Sequence, residues 1–310
     1  MEMKLNQYTR VSSALCFGLI VGAWITPAFA QSASDQVFPD APAGFDVRQD
    51  GIGQGVVERI EYDSSVVTDK RPAMVYTPPG YSSDREYPVL YLLHGIGGNE
   101  THWTTPGLTD AILDNLIAAG EAEPMIIVMP HGRASDEPET NIFGGGRGGR
   151  GAGAPGARGG PGGGMAVEMA AYAAFERELI DDLIPHIEAN YSASSQREDR
   201  ALAGLSMGGG QSLNFGLTNP DVFAAVGGFS SAPNTLAPEE LVPNGAAIAD
   251  AFDVLWISCG DEDSLLNISV GMHDYLTEQG VSHIWHIDSG GHTFPVWKND
   301  LYHFASLIFK

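Results

Sequence analysis

Short apolar runs alternate with amphipathic segments along most of the chain. Residues 88–94 and 125–130 are continuous apolar runs of strand length, a pattern typical of strands buried on both faces of a parallel sheet. Between them, apolar residues recur at helical spacing from Leu108 to Ile117, and Gly120 ends the segment. The alternation continues toward the C-terminus, where strands are predicted at 200–205, 223–229, 254–259 and 283–288. Strands that alternate with helices predict an α/β fold, a doubly wound and mostly parallel sheet with helices on both faces.

The other predicted elements follow from the same periodicities. β-like stretches are predicted at 56–62, 66–68 and 73–77. A long helix is predicted from about Val167 to Asn190, and Pro185 should kink it near its end because proline removes a backbone donor. The apolar stripe of this helix consists of Tyr172, Phe175, Leu179, Leu183 and Ile187. Further helices are predicted at 207–217, at 266–279 and at the C-terminus.

Residues 1–30 have the composition of an export signal. Lys4 and Arg10 supply positive charge, an apolar stretch follows, and residues 28–30 form a small-x-small cleavage pattern. The pattern predicts a signal peptide that is removed before Gln31, with an N-terminal membrane anchor as the alternative. The expected location of the protein is therefore secreted or periplasmic, without stable membrane association after cleavage.

Residues 144–164 break the alternation because they are rich in glycine and contain no acidic residue. Such a stretch buries too little surface to offset the entropy of ordering it, which predicts a disordered loop. The alternative is a mobile basic flap. The predicted organisation is a signal peptide, 1–30, and a single domain, 31–310, with a Gly-rich and flexible insertion at 134–165.

Charge and cysteine content narrow the classes of function. The 310 residues carry a formal net charge of −23, which argues against nucleic-acid binding because like charge repels phosphate. Without residues 1–30, Cys259 is the only cysteine, so no internal disulfide can form. Its position at the end of an apolar run predicts a buried structural thiol.

Gly204-Leu205-Ser206-Met207-Gly208 matches the pattern G-x-S-x-G, and its position makes the match informative. It lies where a predicted strand meets a predicted helix, which is the junction that a nucleophile elbow requires. The tight turn exposes the serine oxygen at the carboxyl edge of the sheet, beside a helix N-terminus. These features predict that Ser206 is the nucleophile of an α/β-hydrolase fold.

A serine hydroxyl needs a base, and in this fold the acid and then the histidine follow the serine in the chain. His292 follows the strand 283–288 and should lie on a loop at the same sheet edge as Ser206. The acid should follow the strand 254–259, and spacing alone leaves the choice among Asp261, Glu262 and Asp263 open.

The remaining histidines and the oxyanion site complete the candidate chemistry. His283 and His286 lack a nearby third ligand, so a zinc site is not expected, and no metal or cofactor is predicted. An oxyanion hole needs two backbone N–H groups. One is predicted from Met207, directly after the nucleophile, and the other from Ile96 in the glycine-rich turn that follows the strand 88–94.

Five segments together resemble the feruloyl and acetylxylan esterases of carbohydrate esterase family 1, within the esterase-D-like α/β hydrolases. The matching segments are Leu92-Leu93-His94-Gly95-Ile96-Gly97-Gly98 with Trp103, Gly204-Leu205-Ser206-Met207-Gly208-Gly209-Gly210-Gln211, Ser231-Ala232-Pro233-Asn234-Thr235, Gly260-Asp261-Glu262-Asp263-Ser264-Leu265 and Gly290-Gly291-His292-Thr293-Phe294-Pro295-Val296-Trp297.

The resemblance implies roles for particular residues. It assigns the catalytic acid to Asp263, supports Ile96 and Met207 as oxyanion donors, and implies that Trp297 lines the substrate pocket. Trp103 and Gly97 are likewise expected to contact substrate. The implied substrates are feruloyl or acetyl esters on plant polysaccharides. The chain departs from the family between about residues 133 and 165, where the family has a much shorter link.

Other functions are compatible with the same motifs. A siderophore (enterochelin-type) esterase and an acyltransferase use the same triad, and cytosolic S-formylglutathione hydrolases are also similar. A catalytically inactive hydrolase fold that binds carbohydrate is the alternative from a different class. The leading prediction is an exported serine carboxylesterase that acts on a small-molecule or polysaccharide ester.

Overall fold

The parallel strands are buried on both faces, which explains their continuous apolar sequences. In β3 (Val89–Leu93), Val89, Tyr91 and Leu93 belong to one core cluster, whereas Leu90 and Leu92 belong to the other. Successive side chains of a strand point to opposite faces, so each face of the sheet has its own apolar core.

One eight-stranded sheet organises the described residues. The computed structural model describes residues 38–138 and 163–310. Besides β3, the strands are β1 (Val56–Tyr62), β2 (Arg71–Thr77), β4 (Ile126–Pro130), β5 (Arg200–Leu205), β6 (Ala225–Phe229), β7 (Val254–Gly260) and β8 (Ile284–Asp288). Along the sheet the order is β1-β2-β4-β3-β5-β6-β7-β8, antiparallel at β1–β2 and β2–β4 and parallel elsewhere. The predicted α/β-hydrolase fold with a mostly parallel sheet is confirmed.

Helices cover both faces of the sheet. The helices are α1 (Thr109–Ala119), α2 (Gly163–Glu178), α3 (Ile184–Asn190), α4 (Met207–Thr218), α5 (Pro238–Leu241), α6 (Leu266–Glu278) and α7 (Phe294–Leu307). Leu113 of α1 and Leu301 of α7 belong to one core cluster. Phe175 of α2, Leu213 of α4 and Leu276 of α6 belong to the other. Within the described residues, no helix is both long and apolar enough to cross a membrane.

The long helix predicted from Val167 to Asn190 is divided in the structure. α2 begins at Gly163, and a π-helical turn, Leu179–Leu183, separates it from α3. The Ile184 N–H donates to the Leu179 carbonyl, five residues earlier. This wider turn comes directly before Pro185, whose ring would collide with a carbonyl in a regular helix. The kink predicted at Pro185 therefore takes the form of a π-helical turn that precedes the proline.

The stretch 66–68, predicted as β-like, is not a strand. The Ser64 hydroxyl accepts hydrogen bonds from the N–H groups of Val66 and Val67, at 3.0 and 3.2 Å. The Thr68 N–H donates to Asp136 Oδ1 at 2.8 Å. Side chains thus take the backbone donors that a sheet partner would need.

Smaller corrections concern the ends of elements and the unusual segments. β6 begins at Ala225 rather than at 223, and β8 begins at Ile284 rather than at His283. The predicted signal peptide and nearly all of the predicted Gly-rich loop lie outside the described residues. The last two residues of that loop, 163 and 164, belong to α2.

Candidate active site

Ser206 lies on the sharp turn between β5 and α4. Its backbone has φ +54° and ψ −119°, a left-handed conformation that costs energy for a residue with a side chain. The Ser206 N–H donates to the Phe229 carbonyl at 2.9 Å, and the Ser206 carbonyl accepts from Gly210 and Ala232. These bonds hold the strained turn in place, as the elbow motif predicts.

Close backbone approach explains two glycines around this serine. A β-carbon on Gly208 would lie 2.5 Å from the His94 carbonyl oxygen and 2.6 Å from that of Leu93. A β-carbon on Gly95 would lie 2.9 Å from the β-carbon of Ser206. Only glycine lets the loop after β3 approach the elbow this closely.

The structure brings His292 and Asp263 into line with Ser206. His292 Nε2 lies 2.9 Å from Ser206 Oγ, and His292 Nδ1 lies 2.7 Å from Asp263 Oδ2. The Asp263 side chain is fully buried, whereas that of His292 is 31% exposed. The other Asp263 oxygen, Oδ1, accepts the Leu265 N–H at 2.8 Å. Asp263 is therefore the one of the three candidate acids that reaches the histidine.

The two loops that carry the acid and the histidine are joined by hydrogen bonds. The Asp261 N–H donates to the Asp288 carbonyl, the Glu262 N–H donates to the Gly290 carbonyl, and the Gly290 N–H donates to Asp261 Oδ1, each at 2.8 Å. Asp261 thus binds backbone rather than the imidazole, and Glu262 is exposed. Joined in this way, the loops fix the distance between Asp263 and the ring of His292.

The predicted oxyanion donors lie beside the serine. Ile96 and Met207 line the same cavity as Ser206. Met207 is the first residue of α4, so its N–H is among those that a helix leaves without an internal partner. Ile96 occupies a turn closed by the Gly98 N–H and the Gly95 carbonyl at 3.1 Å. Gly97 has φ +73° at the third position of that turn, which favours glycine.

A cavity of about 490 Å³ adjoins Ser206, and its walls are mainly apolar. Sequence reasoning missed Met165 and Met169, which enter the wall from the first turns of α2. It also missed His102, whose ring meets that of Phe294 edge to face at 5.9 Å. Burial lowers the pKa of His102, which favours its neutral form. The described residues lining the cavity include no Lys, Arg, Asp or Glu.

The three predicted substrate contacts have different positions. Trp297 lines the cavity and contacts the His292 ring edge to face, with centroids 4.8 Å apart. The prediction for Trp103 is wrong, because its ring is 1% exposed and its indole N–H donates to the Leu93 carbonyl. Trp103 supports the cavity from behind, through an edge contact with Phe294. Gly97 forms the turn and is not among the lining residues.

His273, His283 and His286 are not among the described residues that line the cavity beside Ser206. His283 bonds to His273 and to the Val281 carbonyl, both at 2.8 Å, and burial lowers the pKa of His286 to about 4. In the described residues, no cluster of His, Cys, Asp or Glu has the geometry of a metal site.

Two other titratable groups are buried in the core. Cys259 is inaccessible, and burial raises the pKa of its thiol to about 12, so it is not a thiolate nucleophile. Asp300 of α7 is also inaccessible, and burial raises its pKa well above the ordinary range. The Ser258 hydroxyl and the Trp256 indole lie close to this carboxyl and lower its pKa, but their geometry falls short of regular hydrogen bonds.

The protein family that matches the chain and the individual proteins that resemble it agree with each other. A family described as "Putative esterase" matches residues 64–274. The "Endo-1,4-beta-xylanase/feruloyl esterase" of Xylanibacter ruminicola is 31% identical over 265 residues, which cover 84% of this chain and 32% of that protein. The chain thus spans about a third of the length of that relative.

Solved structures show the same fold. The CE1 ferulic acid esterase of Anaeromyces mucronatus is 28% identical with a TM-score of 0.73, over 89% of this chain and 98% of that one. The enterobactin esterase of Shigella flexneri has a TM-score of 0.59 at 18% identity, over 82% of this chain and 60% of that one. The latter likeness is one of fold alone.

The sheet, the elbow at Ser206 and these structures define the class of the protein as an α/β hydrolase. The chain belongs to the esterase family that matches more than half of its residues, and the resemblance to carbohydrate esterase family 1 is confirmed.

Proposed function

We propose that this esterase releases hydroxycinnamoyl groups such as ferulate from polysaccharide esters, through an acyl-enzyme on Ser206. The observation that carries the proposal is the chain of hydrogen bonds from Ser206 through His292 to Asp263, beside a large apolar cavity. The relatives include a xylanase/feruloyl esterase and a ferulic acid esterase solved in complex with ferulic acid. Their activities support the choice of acyl group.

The reaction begins when Ser206 Oγ attacks the ester carbonyl carbon. His292 Nε2, 2.9 Å away, accepts the serine proton as the new C–O bond forms. Asp263 holds the Nδ1–H of the ring at 2.7 Å and stabilises the imidazolium. The ester C–O bond then breaks, and the alcohol leaves with the proton from His292. Water, deprotonated by His292, then attacks the acyl carbon. The bond between this carbon and Ser206 Oγ breaks, the carboxylic acid leaves, and His292 returns the proton to Oγ.

Backbone N–H groups stabilise the negative charge that develops in each step. The proposed donors are those of Ile96 and Met207, on opposite sides of the serine in the sequence and in the same cavity. The N-terminal end of α4 adds a favourable dipole at this point.

The cavity favours a bulky acyl group over acetate. About 490 Å³ is within the range of sites that enclose a drug-sized ligand, far more than an acetyl group fills. Phe294 and Trp297 add aromatic surface to the lining, and Met165 and Met169 add flexible apolar side chains that can adapt to a flat ring.

We also propose that the protein is exported, with residues 1–30 as its cleaved signal. The support is the charged start, the apolar stretch and the small-x-small pattern at 28–30. A polysaccharide substrate would be encountered outside the cytoplasm, which agrees with this location.

The test is a hydrolysis panel with matched serine variants. The chain from Gln31 onward is assayed on methyl ferulate, 4-nitrophenyl acetate, acetylated xylan and a catecholate siderophore ester. We expect the highest kcat/KM on methyl ferulate and a loss of at least about 10³-fold in Ser206→Ala. The control is Ser306→Ala, which removes a serine hydroxyl on α7 outside the cavity lining and should retain activity within about threefold.

Two results would contradict the proposal in different ways. Unchanged activity in Ser206→Ala would exclude this serine as nucleophile. Turnover of the acetate or siderophore ester alone would keep the nucleophile and refute the acyl group.

A further inference from the structure

Three donors converge on the carbonyl oxygen of Gly95. His94 Nδ1 lies 2.7 Å from it, the Gly98 N–H 3.1 Å and the Tyr172 hydroxyl 3.2 Å. Only the Gly98 bond is part of the local turn. The other two come from buried side chains, with His94 and Tyr172 each 1% exposed.

The Gly95 carbonyl belongs to the same peptide unit as the Ile96 N–H. Because a trans peptide is planar, its C=O and N–H point in opposite directions. Donors that hold the oxygen on one side therefore aim the N–H toward the other side. Ile96 and Ser206 line the same cavity, and Gly95 lies against the β-carbon of Ser206. The plane of this one peptide sets the direction of a proposed oxyanion donor.

The tautomer of His94 follows from its two partners. The Gly132 N–H can only donate, so His94 Nε2, 3.0 Å away, must accept. The Gly95 carbonyl can only accept, so Nδ1 carries the proton. An imidazolium could not accept the Gly132 bond. Burial, and to a smaller extent the nearby His131, lowers the pKa of His94 to about 3. His94 therefore keeps the required neutral form at neutral pH.

A ring of hydrogen bonds ties this peptide to the nucleophile helix. Gln211, on α4, donates through Nε2 to the carbonyls of Gly132 and Tyr172, both at 2.7 Å. Gly132 then donates to His94, and both His94 and Tyr172 donate to Gly95. The oxyanion loop and the helix that begins after Ser206 are thereby held in one bonded unit.

We infer that Tyr172 and His94 are positioning residues for the oxyanion site, acting by fixing the Gly95–Ile96 peptide plane. The inference deepens the proposed esterase mechanism and rests on it. Neither side chain needs to touch the substrate. Their effect should fall on the transition state, in which the oxyanion carries the charge, and not on ground-state binding.

The first test is Tyr172→Phe, which removes one hydroxyl and keeps the ring. We expect kcat to fall about tenfold on both methyl ferulate and 4-nitrophenyl acetate, with KM within about twofold, because every ester forms the same oxyanion. The rate of phosphonylation by a fluorophosphonate should fall by a similar factor. The matched control is Tyr62→Phe, which removes a buried hydroxyl bonded to Glu178 at 2.6 Å and should leave kcat unchanged.

A second pair of variants separates the two nitrogens of His94. His94→Asn places an amide N–H near the position of Nδ1, whereas His94→Gln places its polar atoms near the position of Nε2. Asn leaves the larger void of the two, so the free energy of unfolding of both variants is measured beside the kinetics to separate lost stability from lost kcat. We expect the Asn variant to retain more kcat than the Gln variant, since it keeps the donor to Gly95.

The failures of the inference and of the mechanism are distinguishable. Wild-type protein that hydrolyses no ester would refute the proposed function. Active wild-type protein with unchanged kcat in Tyr172→Phe, or a loss seen only in KM or only on one ester, would refute the positioning role alone.

Discussion

Replacement of Asp263 by asparagine gives a sharp test of the proposed triad, because the neighbouring backbone decides how the amide must orient. Asp263 Oδ1 accepts the Leu265 N–H, which cannot act as an acceptor. In Asp263→Asn the amide oxygen should keep that bond, which turns the NH₂ group toward His292. The ring must then accept at Nδ1 and carry its proton on Nε2, where it cannot take the proton of Ser206.

The expected loss of kcat/KM in Asp263→Asn has two contributions. His292 recovers the productive tautomer only if the new amide turns its oxygen toward the ring. The NH₂ group of the amide then faces the Leu265 N–H, and two opposed donors cost about 1–3 kcal/mol. The missing carboxylate also removes about 4 kcal/mol of attraction to the imidazolium, for unit charges 4 Å apart in a medium of effective dielectric about 20. With tenfold per 1.4 kcal/mol, kcat/KM should fall by about 10⁴.

The assay is steady-state hydrolysis of methyl ferulate, with circular dichroism to verify folding. Asp261→Asn is the matched control, because its oxygen can still accept the Gly290 N–H, and its activity should stay within about threefold. The reasoning would be refuted if folded Asp263→Asn kept more than about a hundredth of the activity. It would fail equally if Asp261→Asn lost as much.

Two further predictions concern stability. Gly208→Ala forces a methyl group against the carbonyls of Leu93 and His94, so the free energy of unfolding in urea should fall by about 3 kcal/mol or more. Gly271→Ala is the control, since nothing lies within 4 Å of its added methyl and a helical alanine is favourable; equal effects would contradict the argument. Burial raises the pKa of Asp300 above its unfolded value, so wild-type stability falls by about 1.4 kcal/mol per pH unit from about pH 4 up to the folded pKa. The melting temperature of Asp300→Asn, relative to that of wild type, should therefore rise as the pH is raised above about 4, and a difference that does not change with pH would count against the argument.

The sheet was predictable because its strands are buried on both faces and therefore have unbroken apolar sequences. The placement of Ser206 followed from the same pattern, since an elbow requires a strand and then a helix. The choice of acid did not follow from spacing. Asp261, Glu262 and Asp263 all come at or after the end of β7, and only the turn that closes between Asp263 and Gly260 decides which one faces the histidine.

Contacts between residues that are far apart in the sequence could not be predicted from local sequence patterns. Tyr172 has the spacing of a core residue on the stripe of its helix, and no local signal indicates that its hydroxyl reaches Gly95, 77 positions away. For Trp103, the expected contact with substrate rests on the family resemblance alone and not on a local sequence pattern. The direction of its ring depends on the turns between residues 100 and 107, which bring its indole N–H under β3.

The position of β8 has a consequence for how the protein loses activity. In the described part of the chain, β8 is the last strand of the sheet and has β7 as its one neighbour. Edge elements open with less free energy than central ones, so fraying at this side can occur while the rest of the sheet stays folded. His292 lies on the loop that follows β8, so such fraying would separate the base from the nucleophile. Enzymatic activity therefore reports on local unfolding at this edge of the sheet. Under mild denaturation, activity should be lost before secondary structure is lost.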